Sequence, residues 1–437
     1  MKIPASLVLI VLSAPVFPQS VAEPVADPSL REAVTRLRAL RDPEHPPVAE
    51  LAPPFAAVTR AQVGFLLDVL ESGVVPDLGE GRQILSGVQR ELVLAALTTH
   101  GRAAVQAQVG ERLAEAVTPA QRRAAIHVWG AVGTPLDLER VFGLAVSAGE
   151  SGLQRATSEP LRQAVASIVA RSPEAHVTLT DRWSSLSNGV LQAVLLALGD
   201  LGDPAALDLF AGVLLWRPSL NDLALAQIRK VGPSFDSALN EEVLLQLRPH
   251  VLTAEPEKAR SVCLALAALD DLEAVPQLIE LLSGDSQMLR ETALWCLRDL
   301  TGLAFASDAR RWRHWLESER AWLRERMPSE LRRLSPDDPG SVRAALAELR
   351  RHPLARSEVA SALGRLLRNG SPDVRLLACD AALEVGDRGV VDHLVELFED
   401  ASPLVVDAAW RAAKALTRID LPPDVRTWTS ELDRRRG

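Results

Sequence analysis

The sequence predicts an all-α protein, an α-solenoid (α/α superhelix) in which helical hairpins stack one after another along the chain. Residues 242–312 recur without a gap as residues 358–428, and roughly 18 of the 71 aligned positions are identical. Within each copy the apolar residues return at helical spacing, and Gly, Pro or Asp interrupts them about every fifteen residues. A composition of 47% hydrophobic but only 4% aromatic residues favours Ala, Leu and Val packing between helices. This self-similarity indicates that one helical unit is stacked repeatedly.

The first copy (residues 242–312) and the second copy (residues 358–428) each predict two helical hairpins. The identical pairs include Glu242/Glu358, Pro256/Pro372, Cys263/Cys379, Asp271/Asp387, Val275/Val391, Glu280/Glu396, Ser286/Ser402, Thr301/Thr417, Asp308/Asp424 and Trp312/Trp428. In the first copy, a leucine face that includes Leu278 predicts one helix, which Gly284 and Asp285 terminate. The apolar face of the next helix consists of Leu289, Ala293, Cys296, Leu297 and Leu300. Small Ala and Cys side chains lie where two helices must approach closely.

The turn between the helices has a recognisable order of residues. The sequence SPDVRLLACDAALEVGD at residues 371–387, and DSQMLR at residues 285–290, resemble the HEAT repeat, particularly its short bacterial form. Ser or Asp before Pro suits a helix start, because the side chain caps the helix and Pro at the first turn costs no hydrogen bond. The resemblance covers about residues 190–300 and 355–430. It implies a solenoid that binds protein on the inner surface formed by its second helices, and an Arg/Asp interaction at the turn. Val406 replaces the expected Arg in the last unit.

The N-terminus predicts export. Lys2 precedes an apolar run over residues 3–17, and Ser20-Val-Ala22 suits signal-peptide cleavage, so residues 1–22 are predicted to be a signal peptide. The alternative is a short buried helix, against which Pro4 and Pro15 argue. No later stretch reaches the roughly 18 apolar residues of a membrane span. We therefore expect a periplasmic or secreted protein that begins at Glu23 and does not insert into a membrane.

The remaining chain divides into four predicted segments. Residues 23–56 are Pro-rich, with a short helix near residues 30–40, and form a tether or a poorly packed cap. Residues 57–302 are the HEAT-like solenoid, residues 303–340 a Trp/Arg-rich helical insertion, and residues 341–437 the C-terminal repeats with a closing cap.

The Trp/Arg-rich insertion has two interpretations. Arg and Trp side chains together could bind single-stranded nucleic acid. Packing is favoured, because Glu residues interleave with the Arg residues and the same Thr…Asp…Trp pattern closes the chain at residues 417–428. That ending resembles one that follows HEAT units in other exported bacterial proteins. We expect Trp312 and Trp428 to be buried anchors on short helices capped by Asp308 and Asp424.

Several classes of function are disfavoured. A net charge of −9 and a sequence pI near 5.5 argue against nucleic acid as a partner. The three cysteines, Cys263, Cys296 and Cys379, are expected to be buried free thiols, with a 263–296 disulfide as the open alternative. HExxH, GxSxG, GxxxxGK[ST] and GxGxxG motifs do not occur in the sequence. We therefore predict no catalytic residues, no metal and no cofactor.

Two functions remain open. The favoured one is a non-catalytic scaffold for a protein partner of unknown identity, and the alternative is an enzyme or chromophore-handling protein, because HEAT-like repeats also occur in bilin lyases. The polar candidates for partner binding are Arg290, Glu291, Arg298, Arg375, Asp407, Arg411 and Lys414. We expect an elongated monomer, because each hairpin of a solenoid contacts only its neighbours.

Overall fold

A computed structural model describes residues 28–40, 60–79, 81, 83–99, 102–113, 118–146, 151–234, 237–334 and 338–436. These residues are almost wholly helical, which confirms the predicted all-α solenoid. The predicted signal peptide, residues 1–22, lies outside the described residues, as does most of the Pro-rich segment. The chain divides into two compact units, residues 1–168 (unit 1) and residues 169–437 (unit 2). The four predicted segments stay predictions.

Unit 1 consists of helices and one small antiparallel hairpin, in which Val74 pairs with Ile84 and Val75 with Gln83. Its elements are α1 (Pro28–Ala39), α2 (Arg60–Ser72), β1 (Val74–Val75), β2 (Gln83–Ile84), α3 (Gly87–Thr99), α4 (Arg102–Arg112), α5 (Pro119–Val132), α6 (Leu138–Val146) and α7 (Ser151–Arg171), whose last residues pass the unit boundary. Helix α1 lies where the sequence predicts a short helix.

Two buried polar side chains hold α1 against the rest of unit 1. The Arg38 guanidinium is almost fully buried and donates to the carbonyl oxygens of Pro76, at 2.9 Å, and Gly81, at 2.7 Å. Gln89 is fully buried, and its side-chain amide donates to the carbonyl oxygen of Leu37 at 2.7 Å. Because buried polar groups are costly unless paired, these bonds fix the position of the helix.

Unit 2 contains both sequence copies. Its helices are α8 (Ala175–Arg182), α9 (Asn188–Leu201), α10 (Leu207–Trp216), α11 (Asn221–Val231), α12 (Ser237–Leu247), α13 (His250–Thr253), α14 (Pro256–Ala268), α15 (Val275–Leu281), α16 (Gln287–Thr301), α17 (Ala309–Glu325), α18 (Met327–Arg333), α19 (Pro339–Leu349), α20 (Arg356–Leu366), α21 (Pro372–Val385), α22 (Val391–Glu396), α23 (Pro403–Thr417) and α24 (Val425–Arg436). The second helices of successive hairpins pack directly on each other, as α14 does on α16 and α21 on α23. Their contacting faces are Ala- and Leu-rich, as the composition predicts.

The two predicted tryptophan anchors are confirmed as buried. Trp312 and Trp428 both have no exposed surface, and their indole nitrogens donate to the carbonyl oxygens of Ala306 and Pro422 at 2.9 Å. The predicted caps are also present. Asp308 accepts from the Arg310 amide at 2.9 Å, and Asp424 accepts from the Thr427 amide at 2.7 Å. Both copies therefore end on the same motif.

All three cysteines are free and buried, as favoured from the sequence. The Cys296 thiol donates to the carbonyl oxygen of Cys263 at 3.4 Å, so the two residues are close without a disulfide. Burial raises the pKa of the Cys263 thiol and of the Cys379 thiol to about 12. A thiol in that state is a poor nucleophile, because the thiolate is the reactive form.

The expectation that each hairpin contacts only its neighbours is wrong within unit 2. The Arg388 guanidinium, in the turn after α21, donates to the carbonyl oxygen of Pro233, in the turn after α11, across 155 residues. Arg356, at the start of α20, donates to the carbonyl oxygen of Leu300 at 3.1 Å. The physical reason is that these long side chains reach backbone carbonyls of turns, which regular stacking leaves unsatisfied.

Candidate functional site

A cavity of about 580 Å³ in unit 2 lies where equivalent turns of the two copies face each other. We call it the mixed-charge cavity. Its wall contains four pairs of positions that are equivalent in the two copies, with the same offset extended two residues upstream. The pairs are Asn240/Arg356, Leu244/Ala360, Asp270/Gly386 and Leu272/Arg388. A volume of this size is within the range of ligand-binding clefts.

Asp270 has a left-handed backbone conformation, which is uncommon for residues other than Gly. It follows α14 with φ of 58°, and Arg418 is the other described non-Gly residue with positive φ. The Asp270 and Asp271 amides donate to the carbonyl oxygens of Ala267, at 3.1 Å, and Leu266, at 3.0 Å, the pattern of a Schellman motif. The equivalent residue in the second copy is Gly386, with φ of 75°. Gly is the favoured residue in this conformation because it has no Cβ.

Opposite charges face each other across the mixed-charge cavity. The Arg356 guanidinium lies 3.9 Å from the Asp270 carboxylate. Partial burial raises the pKa of Asp270, although 54% of its side chain is exposed, and the positive charges of Arg356 and Arg388 oppose that shift. Burial lowers the pKa of Arg388, and Asp270 opposes that shift. The first copy therefore supplies the Asp270 carboxylate, while the second copy supplies the Asp387 carboxylate and the Arg388 guanidinium.

Neutral polar groups complete the wall. The side-chain amide of Asn240 binds Ser234 twice, accepting from its amide at 2.7 Å and donating to its carbonyl oxygen at 2.8 Å. The hydroxyl groups of Ser357 and Ser361 on α20 lie on exposed residues. The described residues contain no group of His, Cys, Asp and Glu side chains that could hold a metal ion. The cavity offers charge and hydrogen bonds rather than an activated nucleophile.

The seven sequence-predicted residues lie elsewhere in unit 2, outside the mixed-charge cavity. On α16, Arg290 donates to the carbonyl oxygens of Gly284 and Asp285, and Arg298 donates to that of Phe305. Glu291 accepts from the Gln287 amide at 2.8 Å. Both arginines therefore bind turns of their own hairpin.

The other four predicted residues lie on the packed pair α21 and α23. Arg375 binds both carboxylate oxygens of Asp400, at 2.6 and 2.9 Å, and only 12% of its side chain is exposed. This is the Arg/Asp interaction that the resemblance implies, and it leaves Arg375 little surface for a partner. Asp407 and Arg411 form an exposed ion pair at 3.0 Å, while Lys414 pairs with Asp420. The four residues thus lie on two helices that pack on each other, but their side chains form three separate ion pairs.

The cavity residues Asp270, Arg356 and Arg388 were not predicted. The sequence signal that could have found Asp270 is the alignment of the copies, which places a charged residue opposite a Gly at a helix end. The signal for Arg388 is weaker, because its partner Pro233 lies outside both copies. No sequence pattern pairs two turns that are so far apart along the chain.

Comparisons with known proteins give the class of the repeats. Residues 267–302 match the armadillo/beta-catenin-like repeat. The match covers the end of α14, α15 and α16. The chain carries helical repeats of the armadillo/HEAT-like kind, which confirms the family predicted from the turn residues. No curated protein matches the sequence. Among the described residues, no helix is both long and apolar enough to cross a membrane.

Solved structures similar to this chain include two engineered proteins and a karyopherin. One engineered protein aligns with 88% of this chain and 98% of its own, at 14% identity and a TM-score of 0.29. A second engineered protein aligns with 71% of this chain and 96% of its own, at 14% identity and a TM-score of 0.16. The karyopherin Kap121p, bound to the extreme C-terminus of the protein phosphatase Cdc14p, aligns at 12% identity and a TM-score of 0.39. The alignment covers 86% of this chain but spans only 44% of the karyopherin chain.

Proposed function

We propose that this chain is an exported, non-catalytic repeat scaffold that binds a protein partner, and that the mixed-charge cavity of unit 2 is part of the contact surface. The observation that carries the proposal is Asp270. Asp270 has a left-handed backbone conformation, and the equivalent residue of the second copy is Gly386. For a residue other than Gly this conformation costs about 1–2 kcal/mol. Such strain is concentrated at functional sites in proteins. Asp270 lines the mixed-charge cavity, and its carboxylate lies 3.9 Å from the Arg356 guanidinium there.

The groups in the cavity suit a polar protein surface. Exposed serines, an amide, two carboxylates and two guanidinium groups can exchange hydrogen bonds with a peptide backbone and with charged side chains. Stacked repeats also offer extended surfaces for protein partners. A non-catalytic role is supported by the raised thiol pKa values and by the hydrogen-bonding character of the cavity.

Site-specific photocrosslinking tests where the partner binds. Ser361, which is exposed in the cavity wall, is replaced by p-benzoylphenylalanine, and so in separate variants are Trp295 on the exposed face of α16 and Ser318 on α17. Each purified protein is irradiated with a cell-envelope extract, and crosslinked products are identified by mass spectrometry. We expect one stoichiometric protein adduct from position 361 and none from position 318.

The other outcomes separate the alternatives. An adduct from position 295 alone would place the partner on the second-helix surface that the sequence predicts. A small molecule or pigment retained on the purified protein, with no protein adduct, would favour the enzyme or chromophore-handling function. Asp270→Gly, which makes the first copy like the second, is expected to weaken partner binding while the fold is retained.

Export is tested by the N-terminus of the protein from its native host. We expect Glu23 as the first residue of protein recovered from outside the cytoplasm. Recovery of the chain from the cytoplasm with Met1 intact would contradict export.

A further inference from the structure

A second cavity of about 380 Å³ in unit 2 has a pronounced positive charge. We call it the cationic cavity. Its wall includes Lys230, Arg388, Arg418, Arg434 and Arg435, against one carboxylate, that of Asp200. The concentration of five cations contrasts with the net charge of −9 for the whole chain. Arg388 and Pro233 line both cavities, so the cationic cavity adjoins the mixed-charge cavity.

The ends of three helices explain part of this charge. Helices α9, α11 and α23 finish at Leu201, Val231 and Thr417, and residues of all three ends line the cavity. Cations are stabilised near helix C-termini, where backbone carbonyl groups carry partial negative charge. Arg435 does this directly, since it donates to the carbonyl oxygen of Thr417 at 3.4 Å. Helix C-termini therefore explain why cations collect in this cavity. They do not explain why Arg418, rather than Gly, has the left-handed conformation at the end of α23.

Three of the cations have carboxylate partners. Lys230 pairs with Asp200 at 2.6 Å, and Glu431 accepts from Arg434 at 2.7 Å and from Arg435 at 2.8 Å. The hydrogen bond from Arg434 is the main reason that the pKa of Glu431 falls to about 2, so this carboxylate stays ionised. Half or more of the Lys230 and Arg434 side chains nevertheless remains exposed. Their charged ends are therefore accessible to a further ligand.

Arg418 is the unusual member of the cluster. It ends α23 with φ of 58°, where its equivalent in the first copy is Gly302, with φ of 70°. Its guanidinium forms no ion pair or hydrogen bond with another described residue, and the residue is exposed. Arg418 and Arg435 both contribute to lowering the pKa of Arg388, after burial, which indicates that these cations lie near one another. A strained, exposed and unpaired arginine in a cavity is a candidate for ligand binding.

We propose that the cationic cavity binds an acidic segment of the protein partner, through clustered carboxylates that Arg418 and Arg434 contact. The inference rests on the proposed scaffold function and names the chemistry of the partner. Charge complementarity carries it, because guanidinium groups bind carboxylates with paired hydrogen bonds. A segment in this position would continue into the adjoining mixed-charge cavity.

Fluorescence anisotropy with a defined probe tests the proposal. The full chain is titrated against a fluorescein-labelled hexaglutamate peptide, with hexalysine as the charge-reversed control, at low and high salt. We expect hexaglutamate alone to bind, and salt to weaken it, because exposed charges are screened. Arg418→Gly is expected to reduce affinity about tenfold, the effect of losing one charge-assisted hydrogen bond.

The choice of variants separates a binding role from a structural one. Arg418→Gly installs the residue found at the equivalent position of the first copy, so its melting temperature should equal or exceed that of the wild type. Arg351→Gln is the control, because Arg351 is exposed, carries the same charge and pairs with Glu348 outside the cavity. Its affinity for the peptide should stay within about twofold of wild type. Equal losses in both variants, or a lower melting temperature for Arg418→Gly, would overturn the proposal.

Two further outcomes are decisive. If sodium phosphate displaces the peptide at concentrations where sodium chloride of equal ionic strength does not, the cavity is a small-anion site and the acidic-segment proposal fails. If crosslinking identifies a partner at position 361 whose binding Arg418→Gly leaves unchanged, the scaffold function stands and this inference fails. If no partner is found but Arg418 is needed to bind hexaglutamate, the acid-binding cavity stands without the scaffold function.

Discussion

The two copies within unit 2 share a fold but have different residues at several pairs of equivalent positions. Where the second copy has the buried pair Arg375 and Asp400, the first copy has Ala259 and Gly284. The copies also differ at the left-handed residues that end their second helices. The pairs are Asp270/Gly386 and Gly302/Arg418. In the first difference, both partners of the ion pair are absent from the first copy, so no buried charge is left there without a partner. The second places a charged residue in a left-handed conformation that Gly adopts at lower cost, and the proposed binding sites are based on it.

The shared tryptophans give the largest expected effect. Trp312→Ala and Trp428→Ala should each lower the free energy of unfolding by about 3–5 kcal/mol, because each removes a fully buried aromatic side chain. Urea denaturation of the purified variants measures the change. Trp216→Ala is the control, since 63% of Trp216 is exposed, and should cost less than about 1 kcal/mol. Wild-type stability in both variants would contradict the anchor role.

The buried ion pair of the second copy gives the next largest effect. Arg375→Ala should cost about 3 kcal/mol, because it leaves the Asp400 carboxylate buried without its partner. The double variant Arg375→Ala/Asp400→Gly, which reproduces the first copy, should cost less than Arg375→Ala alone. A double-mutant cycle measured by urea denaturation gives the coupling. If the double variant is less stable than Arg375→Ala, replacing Asp400 as well does not compensate for the loss of Arg375.

The same pair makes stability depend on pH. The hydrogen bond from Arg375 holds the pKa of Asp400 below its ordinary value of 3.8, so the folded state releases this proton more readily than the unfolded state. The stabilisation is therefore present above pH 3.8 and is lost as pH falls through the folded-state pKa. Urea midpoints measured between pH 5 and 2 should fall more steeply for the wild type than for Arg375→Ala/Asp400→Gly. Parallel curves would exclude this contribution.

These residues also show what a sequence can and cannot predict. Trp312 and Trp428 were predicted correctly because each motif is local: the cap, the indole and the carbonyl that it contacts lie within six residues of one another. Arg375 was predicted as a partner-binding residue, and this stays a prediction; the carboxylate that it binds, Asp400, lies 25 residues further along the chain. The mixed-charge cavity was missed because its walls come from turns separated by more than 100 residues. Helical periodicity predicts each hairpin, but carries no information on which turns meet.

The two copies also differ in the position of the phenylalanine that contacts each tryptophan anchor, and the expected effect on stability is smaller. The rings of Trp312 and Phe305 meet edge-on with their centroids 5.0 Å apart. The rings of Trp428 and Phe398 do the same with their centroids 5.5 Å apart. The equivalents of these phenylalanines in the other copy are Leu421 and Leu282. Phe305→Leu should therefore cost about 1 kcal/mol by loss of packing volume.

Leu282→Phe alone should also destabilise, because Leu282 is buried and extra volume strains a packed core. The double variant Leu282→Phe/Phe305→Leu, which gives the first copy the arrangement of the second, should cost less than the sum of the two. Thermal and urea denaturation of the three variants test this. Strict additivity would show that the two positions do not share one packing environment.

The left-handed residue of the first copy gives the smallest effect on stability and the clearest distinction between the copies. Asp270→Gly should raise the free energy of unfolding by about 1 kcal/mol or less, because Gly relieves the strain but gains conformational entropy in the unfolded chain. The reverse change in the second copy, Gly386→Asp, should lower it by a similar amount. No atom lies within 4 Å of a Cβ placed at Gly386, so the effect there is conformational rather than steric. If Asp270→Gly instead destabilises the protein, the Asp270–Arg356 contact outweighs the backbone strain, and Asp270 is retained for folding rather than for binding.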